Sequence, residues 1–230
     1  MSMYDKMLQL PIFMGLSNNQ LTAIIEKIPF SFERFNAGDV ILEAGRQCDS
    51  VTFILNGDVR LVTPTFAGRM FIAQDFSGPH TMPFYYMFGA ETRHFSELRA
   101  VTQAGVMQVE KMRFMEMLQL NDIMLLNVMN MLSTHAQKQH LAMDFSGESD
   151  PVLRLSSWML AFTDRTATNI LIEAREPDWC DMLQLSPSDF WRCVSMLENR
   201  GCLEVSEGKL KLTDRYALRR FVGEKSGQRN

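Results

Sequence analysis

No apolar run in this sequence approaches the roughly 20 residues that a membrane-spanning helix needs. The opening Met1-Ser-Met-Tyr-Asp-Lys6 lacks the basic region, apolar core and small-residue cleavage site of a signal peptide, so a cytoplasmic protein with no membrane role is expected. Cysteine is scarce. Cys48, Cys180, Cys193 and Cys202 are the four, and none are paired at C-x-x-C spacing. That excludes the common zinc and redox motifs and leaves small, partly buried thiols. The four histidines, His80, His94, His135 and His140, are too scattered to form a metal site. A Walker loop, a dinucleotide glycine fingerprint, a nucleophile elbow and a paired-histidine metal motif are also missing. No catalytic residue and no metal ligand is assigned, and no enzyme is expected. Asp181, Asp189 and Glu198 read as caps and solvated faces.

What is present is enough chain for two domains. Its 230 residues are 46% hydrophobic and 22% charged, the mix of an ordinary soluble globular protein. The net charge of −4 argues weakly against nucleic acid, because phosphate contacts need Lys and Arg. Its distribution matters more. From Arg175 onward there are ten Lys/Arg and nine Asp/Glu, a net of +1, and the rest carries 13 basic and 18 acidic residues, a net of −5. Nucleic-acid binding by the tail would depend on the placement of a few cations.

Along the chain the hydrophobic period changes three times. Residues up to about Glu26 read as helical, with Ser17 and Gln20 at capping-box spacing. From Phe30 short alternating runs follow, punctuated by Asn36-Ala-Gly38-Asp39, Gly45 and Asn56-Gly57-Asp58. Asn-Gly between Val51-Thr-Phe-Ile-Leu55 and Val59-Arg-Leu-Val62 predicts a hairpin. Further strands at Met70–Ala73, Leu98–Thr102 and Gly105–Val109 imply an antiparallel roll.

From about Arg113 the period is helical again, and a long helix is predicted from Ile123 to about Met143. Leu125, Met129, Leu132 and Ala136 recur at heptad-like steps, with Met143 and Gln139 in the same series. Met124, Val128, Met131 and His135 form a second stripe. A helix apolar on two faces must be covered twice, most simply by its own roll and by the same helix of a second subunit, so Leu125, Met129, Leu132 and Ala136 are the expected dimer interface.

Ser146-Gly-Glu-Ser-Asp-Pro151 reads as a linker, with Ser149 or Asp150 capping a helix that has Pro151 at its first position. The segment from Pro177 to Leu212 carries most of the information. A short helix from Asp178 leads to a turn at Gln184-Leu185, and Ser186-Pro-Ser-Asp189 starts a second helix, with Asp189 at the capping-box position. Phe190, Val194 and Leu197 share one face. Ser188, Trp191, Arg192 and Ser195 point elsewhere. Leu203–Val205 and Leu210–Leu212 then alternate around Glu207-Gly208 as a β-hairpin. Helix, turn, helix and hairpin make a winged helix-turn-helix whose second helix fits a major groove. The expected DNA-binding residues are Ser186, Ser188, Asp189, Trp191, Arg192 and Ser195, with Arg200, Lys209 and Lys211 as phosphate contacts.

These elements together resemble the Crp/Fnr family of bacterial regulators. The glycine-punctuated strands from Asn36 to Val59, the long helix, and Leu183-Gln-Leu-Ser-Pro-Ser-Asp-Phe-Trp-Arg-Cys-Val-Ser-Met-Leu-Glu-Asn-Arg-Gly201 carry the likeness. The resemblance implies an α+β fold with an N-terminal antiparallel β-roll of cyclic-nucleotide-binding type, a dimerisation helix at about 113–146 and a C-terminal winged helix-turn-helix. The implied domains are 1–146, for sensing, and 147–230, for DNA binding. The implied function is sequence-specific transcription regulation by a homodimer on double-stranded DNA, with RNA polymerase and a small-molecule effector as further candidate partners. The other reading is a sensing module that signals through protein contacts with a vestigial DNA-binding domain.

Two departures qualify the resemblance. Members that bind cyclic nucleotides carry Gly-Glu on a short helix, then an Arg that grips the cyclic phosphate. The matching positions here are about Pro83-Phe84 and His94-Phe95-Ser96, so cyclic AMP is not expected as a cofactor. In the recognition helix the family's first Arg is Pro187, while the later one, Arg192, is kept. No cysteine precedes Cys48, so the family's iron–sulfur sensor is not expected. His94, His135, His140 and the 18 methionines leave haem open. Phe84, Tyr85, Tyr86, His94, Phe95 and Ser96 are the candidate effector pocket, whose aromatics line it or simply fill it.

Overall fold

The computed structural model describes residues 2–143, 147–206 and 208–227. The expected linker start, Ser146, and the turn residue Glu207 lie outside the described residues. The chain forms two compact units, the first Met1–Leu61 with Phe76–His135, the second Val62–Asp75 with Ala136–Asn230. This differs from a single cut after residue 146, because residues 62–75 cluster with the C-terminal part.

Unit 1 opens with α1 (Met3–Leu8) and α2 (Asn18–Ile25). Ser17 caps α2 as its spacing predicts. Its hydroxyl accepts from the Gln20 N–H at 3.3 Å, and Gln20 Oε1 accepts from the Ser17 N–H at 2.9 Å. Eight strands follow along the chain: β1 (Ser31–Phe35), β2 (Val40–Leu42), β3 (Ser50–Asn56), β4 (Asp58–Thr65), β5 (Met70–Ser77), β6 (His80–Thr81), β7 (Glu97–Ala100) and β8 (Ala104–Glu110), of which β5 up to Asp75 belongs to unit 2. Helices α3 (Lys111–Gln119) and α4 (Asp122–Met143) complete the run. One sheet has the order β1-β8-β3-β6, with Val51 opposite Val109 and Phe53 opposite Met107. Those four side chains enter a core with Phe13, Phe114 and residues of α4. On the other face half-buried Gln108 donates to the hydroxyl of buried Thr52 at 3.0 Å, which satisfies it. A second layer runs β4-β7-β2.

Asn56-Gly57 does not form the predicted hairpin. It is a corner that carries the chain from one sheet to the other, since β3 and β4 lie in different sheets. Gly57 has φ +85°, and a Cβ there would stand 2.3 Å from the Gln103 carbonyl oxygen. Only glycine supplies that conformation without a clash.

The helical run expected from about residue 113 divides into α3 and α4, and α4 covers the long helix predicted from Ile123 to about Met143; residues 144–146 lie outside the described residues. The chain breaks at Leu120-Asn121, where Asn121 Oδ1 accepts from the Ile123 N–H at 2.8 Å. In α4, Met124 and Val128 are buried, Met131 packs on the same core, and the His135 ring stacks on Tyr85 with centroids 3.5 Å apart. Burying Met124 and Val128 contributes about 1.5–3 kcal/mol each. The other stripe is left outward: Leu125, Met129 and Leu132 are 42%, 56% and 39% exposed, and Ala136 is exposed too.

Unit 2 contains α5 (Pro151–Phe162), β9 (Asn169–Glu173), α6 (Glu176–Leu183), α7 (Pro187–Asn199), β10 (Leu203–Ser206), β11 (Lys209–Leu212) and α8 (Arg215–Gly227). Asp150 is the cap of α5, accepting from the Val152 N–H at 3.0 Å. The sheet runs β10-β11-β9-β5. Strand β5 pairs antiparallel with β9 from Phe71 opposite Glu173 to Asp75 opposite Asn169. Met70 and Ile72 thereby enter a core with Trp158, Trp179, Phe190 and Leu197. The hydrophobic pattern of residues 70–73 predicts a strand, but nothing local in it names β9 as the partner.

Candidate nucleic-acid interface

The α6–turn–α7 unit is built from local chemistry. Gln184 takes the left-handed conformation at φ +52° and ends α6, and the Leu185 N–H reaches the Cys180 carbonyl at 3.0 Å. Ser186 then caps α7, accepting from the Asp189 N–H at 3.2 Å, with Pro187 in the first turn. Packing fixes the angle. The Trp179 ring stacks on Phe190 at 5.6 Å and meets Trp158 edge-on at 5.1 Å. Arg154, in the first turn of α5, donates to the Leu183 carbonyl at 2.6 Å.

Helix α7 buries Phe190, Cys193, Val194 and Leu197. Ser188, Trp191, Arg192 and Ser195 are exposed and Asp189 is half-buried, so these residues predicted to read DNA share the outward face. Asp189 departs from its predicted role. Its carboxylate accepts from the Ser186 hydroxyl at 2.8 Å and from Arg192 Nη2 at 2.6 Å, and no capping box closes on the Ser186 N–H.

The same pairing recurs around the wing. Lys209 meets Glu173 at 2.8 Å, and Lys211 meets Glu204 at 2.8 Å. Trp191 Nε1 donates to Glu176 at 2.5 Å. Asp178 is buried and accepts from Arg175 at 2.7 Å and Arg69 at 3.1 Å; the Arg175 hydrogen bond, with Arg69 adding to it, holds this carboxyl below the usual carboxylate range. An open cleft of about 430 Å³ lies here, lined by Arg69, Phe71, Glu173, Arg175 and Lys209 among others. Arg200 is placed differently. It caps the C-terminal end of α7, with its guanidinium 4.7 Å from the centre of the Phe221 ring.

Sequence reasoning missed the carboxylate partners Glu173, Glu204 and Glu176. Glu204 was legible, because a hairpin turning at Gly208 sets it directly opposite Lys211. Glu173 was not, since it lies on β9 and meets the wing only through β9–β11 pairing.

The candidate effector residues all lie in unit 1. Phe84 is buried against Phe114 at 5.7 Å, Tyr85 stacks on His135, and Tyr86 packs on the exposed Phe95 at 6.1 Å. His94 and Ser96 are half-buried. Burial lowers the His94 pKa, with Asp49 opposing, so its ring is neutral at pH 7. Lys111 is drawn to the Met87 carbonyl at 2.7 Å. A neutral imidazole, a buried phenyl ring and a lysine already engaged do not fit the grip on a cyclic phosphate.

Residues 32–121 match the cyclic nucleotide-binding domain family. Solved structures of similar fold include the catabolite activator protein of Thermus thermophilus. It is 14% identical, with 93% of this chain and 99% of that one covered and a TM-score of 0.51. Another is the sensor domain of the transcriptional regulator DNR from Pseudomonas aeruginosa, 18% identical, covering 59% and 89%, with a TM-score of 0.50. At these identities the likeness is one of fold. No curated protein matches the sequence. Among the described residues no helix is long and apolar enough to cross a membrane, and no group of three or more His, Cys, Asp or Glu could hold a metal ion.

Proposed function

We propose that this chain, whose residues 32–121 are a cyclic nucleotide-binding domain and whose fold is that of the Crp/Fnr regulators, is a sequence-specific DNA-binding transcription regulator rather than an enzyme. The observation that carries the reading is α7. Its capped N-terminus presents Ser188, Trp191, Arg192 and Ser195 outward on a helix fixed by packing behind it. On duplex DNA the Arg192–Asp189 pair has two natural partners, guanine O6/N7 for the guanidinium and a cytosine amino group for the carboxylate. Lys209 and Lys211 reach phosphates once they leave Glu173 and Glu204.

The working form is a homodimer. Leu125, Met129, Leu132 and Ala136 form an outward apolar stripe at heptad spacing, which a second copy of α4 covers. Two recognition helices related by a two-fold axis sit about 34 Å apart, so the target is a near-palindrome. RNA polymerase is the partner such a regulator engages. An effector, where one acts, shifts α4 and through it the reading helices. Cyclic AMP is not that effector in the family's way, and micromolar binding of cyclic AMP would overturn this point.

A second reading has its own observation. Each of the cations Arg192, Lys209 and Lys211 is paired with a carboxylate of this chain, which suits a module that signals through protein contacts. Selection of bound sequences from random duplex DNA separates the two. The regulator enriches a near-palindrome, and Arg192→Ala weakens binding to it by about 1–3 kcal/mol. Failure to enrich any sequence, with no salt-dependent affinity, would favour the protein-contact module.

A further inference from the structure

Helix α8 carries the least compensated charge around the winged helix. Leu218 and Phe221 are buried, whereas Tyr216, Arg219, Arg220 and Gly223, at i, i+3, i+4 and i+7, are exposed as one stripe, Tyr216 to 70%. Both ends of the stripe are extended by further arginines. Thr213 donates to the Gly201 carbonyl at 2.8 Å and the Asp214 N–H to the Cys202 carbonyl at 3.2 Å. These bonds set the start of α8 beside the end of α7, where Arg200 lies over Phe221. Arg215 donates to the Leu160 carbonyl at 2.8 Å and to the Thr163 hydroxyl at 3.1 Å, at the last turn of α5 beside exposed Arg165. Burial lowers the Arg215 pKa; Asp164 opposes this, and the nearby charges of Arg219 and Arg165 lower it further. Among the described residues, Arg165, Arg200, Arg219 and Arg220 have no carboxylate partner, in contrast to Arg192, Lys209 and Lys211.

This stripe lies away from the reading end of α7, a distinction that rests on the DNA-reading role proposed above. Arg200 is at the opposite end of a 13-residue helix, about 20 Å from Ser186. Helix α5 gives the same placement. Arg154 ties its first turn to the helix-turn-helix corner, and Arg215 bonds Leu160 and Thr163 about 9–14 Å further along, at its end. A duplex read by the N-terminus of α7 takes its phosphate contacts from the wing, and the stripe is left for a different partner.

We propose that the Tyr216–Arg219–Arg220 face, extended by Arg200 and Arg165, is a docking surface for an acidic protein segment. Unpaired guanidiniums match carboxylates bidentately, and they outbid lysine in that geometry. An exposed tyrosine among arginines is the composition of a protein-binding hot spot, with apolar area at its centre and charge around it. Residues 216 to 223 span about 10 Å, enough for carboxylates on two turns of an acidic helix.

The test uses the full-length protein, a fluorescent glutamate oligomer and the duplex obtained by selection, with binding read by anisotropy at low salt. The wild type should bind the oligomer. Arg219→Glu with Arg220→Glu should weaken that binding at least about tenfold and leave duplex affinity within about twofold, while Arg192→Ala does the reverse. Arg219→Gln with Arg220→Gln, which removes charge without reversing it, should give a smaller loss in the same direction. Failure of the wild type to bind the oligomer, or equal binding by the double variant, would overturn the proposal. Loss of duplex affinity in parallel with oligomer affinity would make the stripe a DNA-backbone contact and overturn the protein-docking reading. The oligomer measurements stand even where selection enriches no DNA, so the two proposals fail separately.

Discussion

Gly57 and Gly38 both adopt positive φ, at +85° and +92°, yet they differ in what surrounds them. A Cβ on Gly57 meets the Gln103 carbonyl oxygen at 2.3 Å, whereas one on Gly38 meets nothing within 4 Å. Gly57→Ala should therefore cost more than about 2 kcal/mol of unfolding free energy in urea titration, and Gly38→Ala about 1 kcal/mol, the left-handed strain alone. Equal losses would mean that the corner relaxes. His94 supplies a second residue-scale test. Its folded pKa is depressed, so the unfolded chain takes up the proton first as pH falls. The stability of the neutral ring is complete above roughly pH 6.5 and is lost below it. His94→Gln should flatten the acid side of a Tm-versus-pH curve, and an unchanged slope would remove His94 as the source. Cys48 is buried and its thiol is pushed up to about 11, by burial first and Asp49 second, which suits a packing residue and not a nucleophile.

At the scale of elements, α7 and the β10–β11 hairpin are held by short-range chemistry and restrained by their own carboxylates. Glu173 and Glu204 each occupy a lysine of the wing. Exposed pairs of this kind contribute only about 0–1 kcal/mol to folding, so neutralising the acids leaves the unit folded. Glu173→Gln with Glu204→Gln should raise duplex affinity several-fold and steepen its salt dependence by about 0.9 for each lysine that gains a phosphate. An unchanged slope would mean that Lys209 and Lys211 never reach the backbone. The cap of α7 is a simpler case. Ser186→Ala removes the acceptor for the Asp189 N–H and should lower stability by about 1 kcal/mol in thermal unfolding.

On the scale of the whole molecule, the outward stripe of α4 decides whether the protein works as a pair. Leu132→Glu places a charge in the centre of the proposed seam. Sedimentation should then report a monomer, and binding to a near-palindromic duplex should fall by at least about a hundredfold, since one half-site is lost with the two-fold axis. A stable monomer that still bound the full site would end the dimer mechanism. The fold at this scale was largely legible in the sequence: strand-period runs, a helix with two apolar faces, then helix, turn, helix and hairpin. The turn at Gln184, the cap at Ser186 and the split between buried Phe190, Val194 and Leu197 and exposed Ser188, Arg192 and Ser195 were read directly from residue order. Less legible was which rings would meet around Phe84, Tyr85 and Tyr86, which are adjacent in sequence and pack on Phe114, His135 and Phe95.

The division between sequence and structure follows the range of the interactions. Caps, turns and periodicity act within a few residues, so the order of amino acids alone determined where helices and strands lie and which side of α7 faces out. Pairing across long separations depends on which surfaces meet once the chain has collapsed. Tertiary structure alone decided that Asn56-Gly57 is a corner between sheets, that β5 joins β9, and that Glu173 holds Lys209. It also decided that, among the described residues, Arg165, Arg200, Arg219 and Arg220 stand without a carboxylate partner while Arg192, Lys209 and Lys211 each have one.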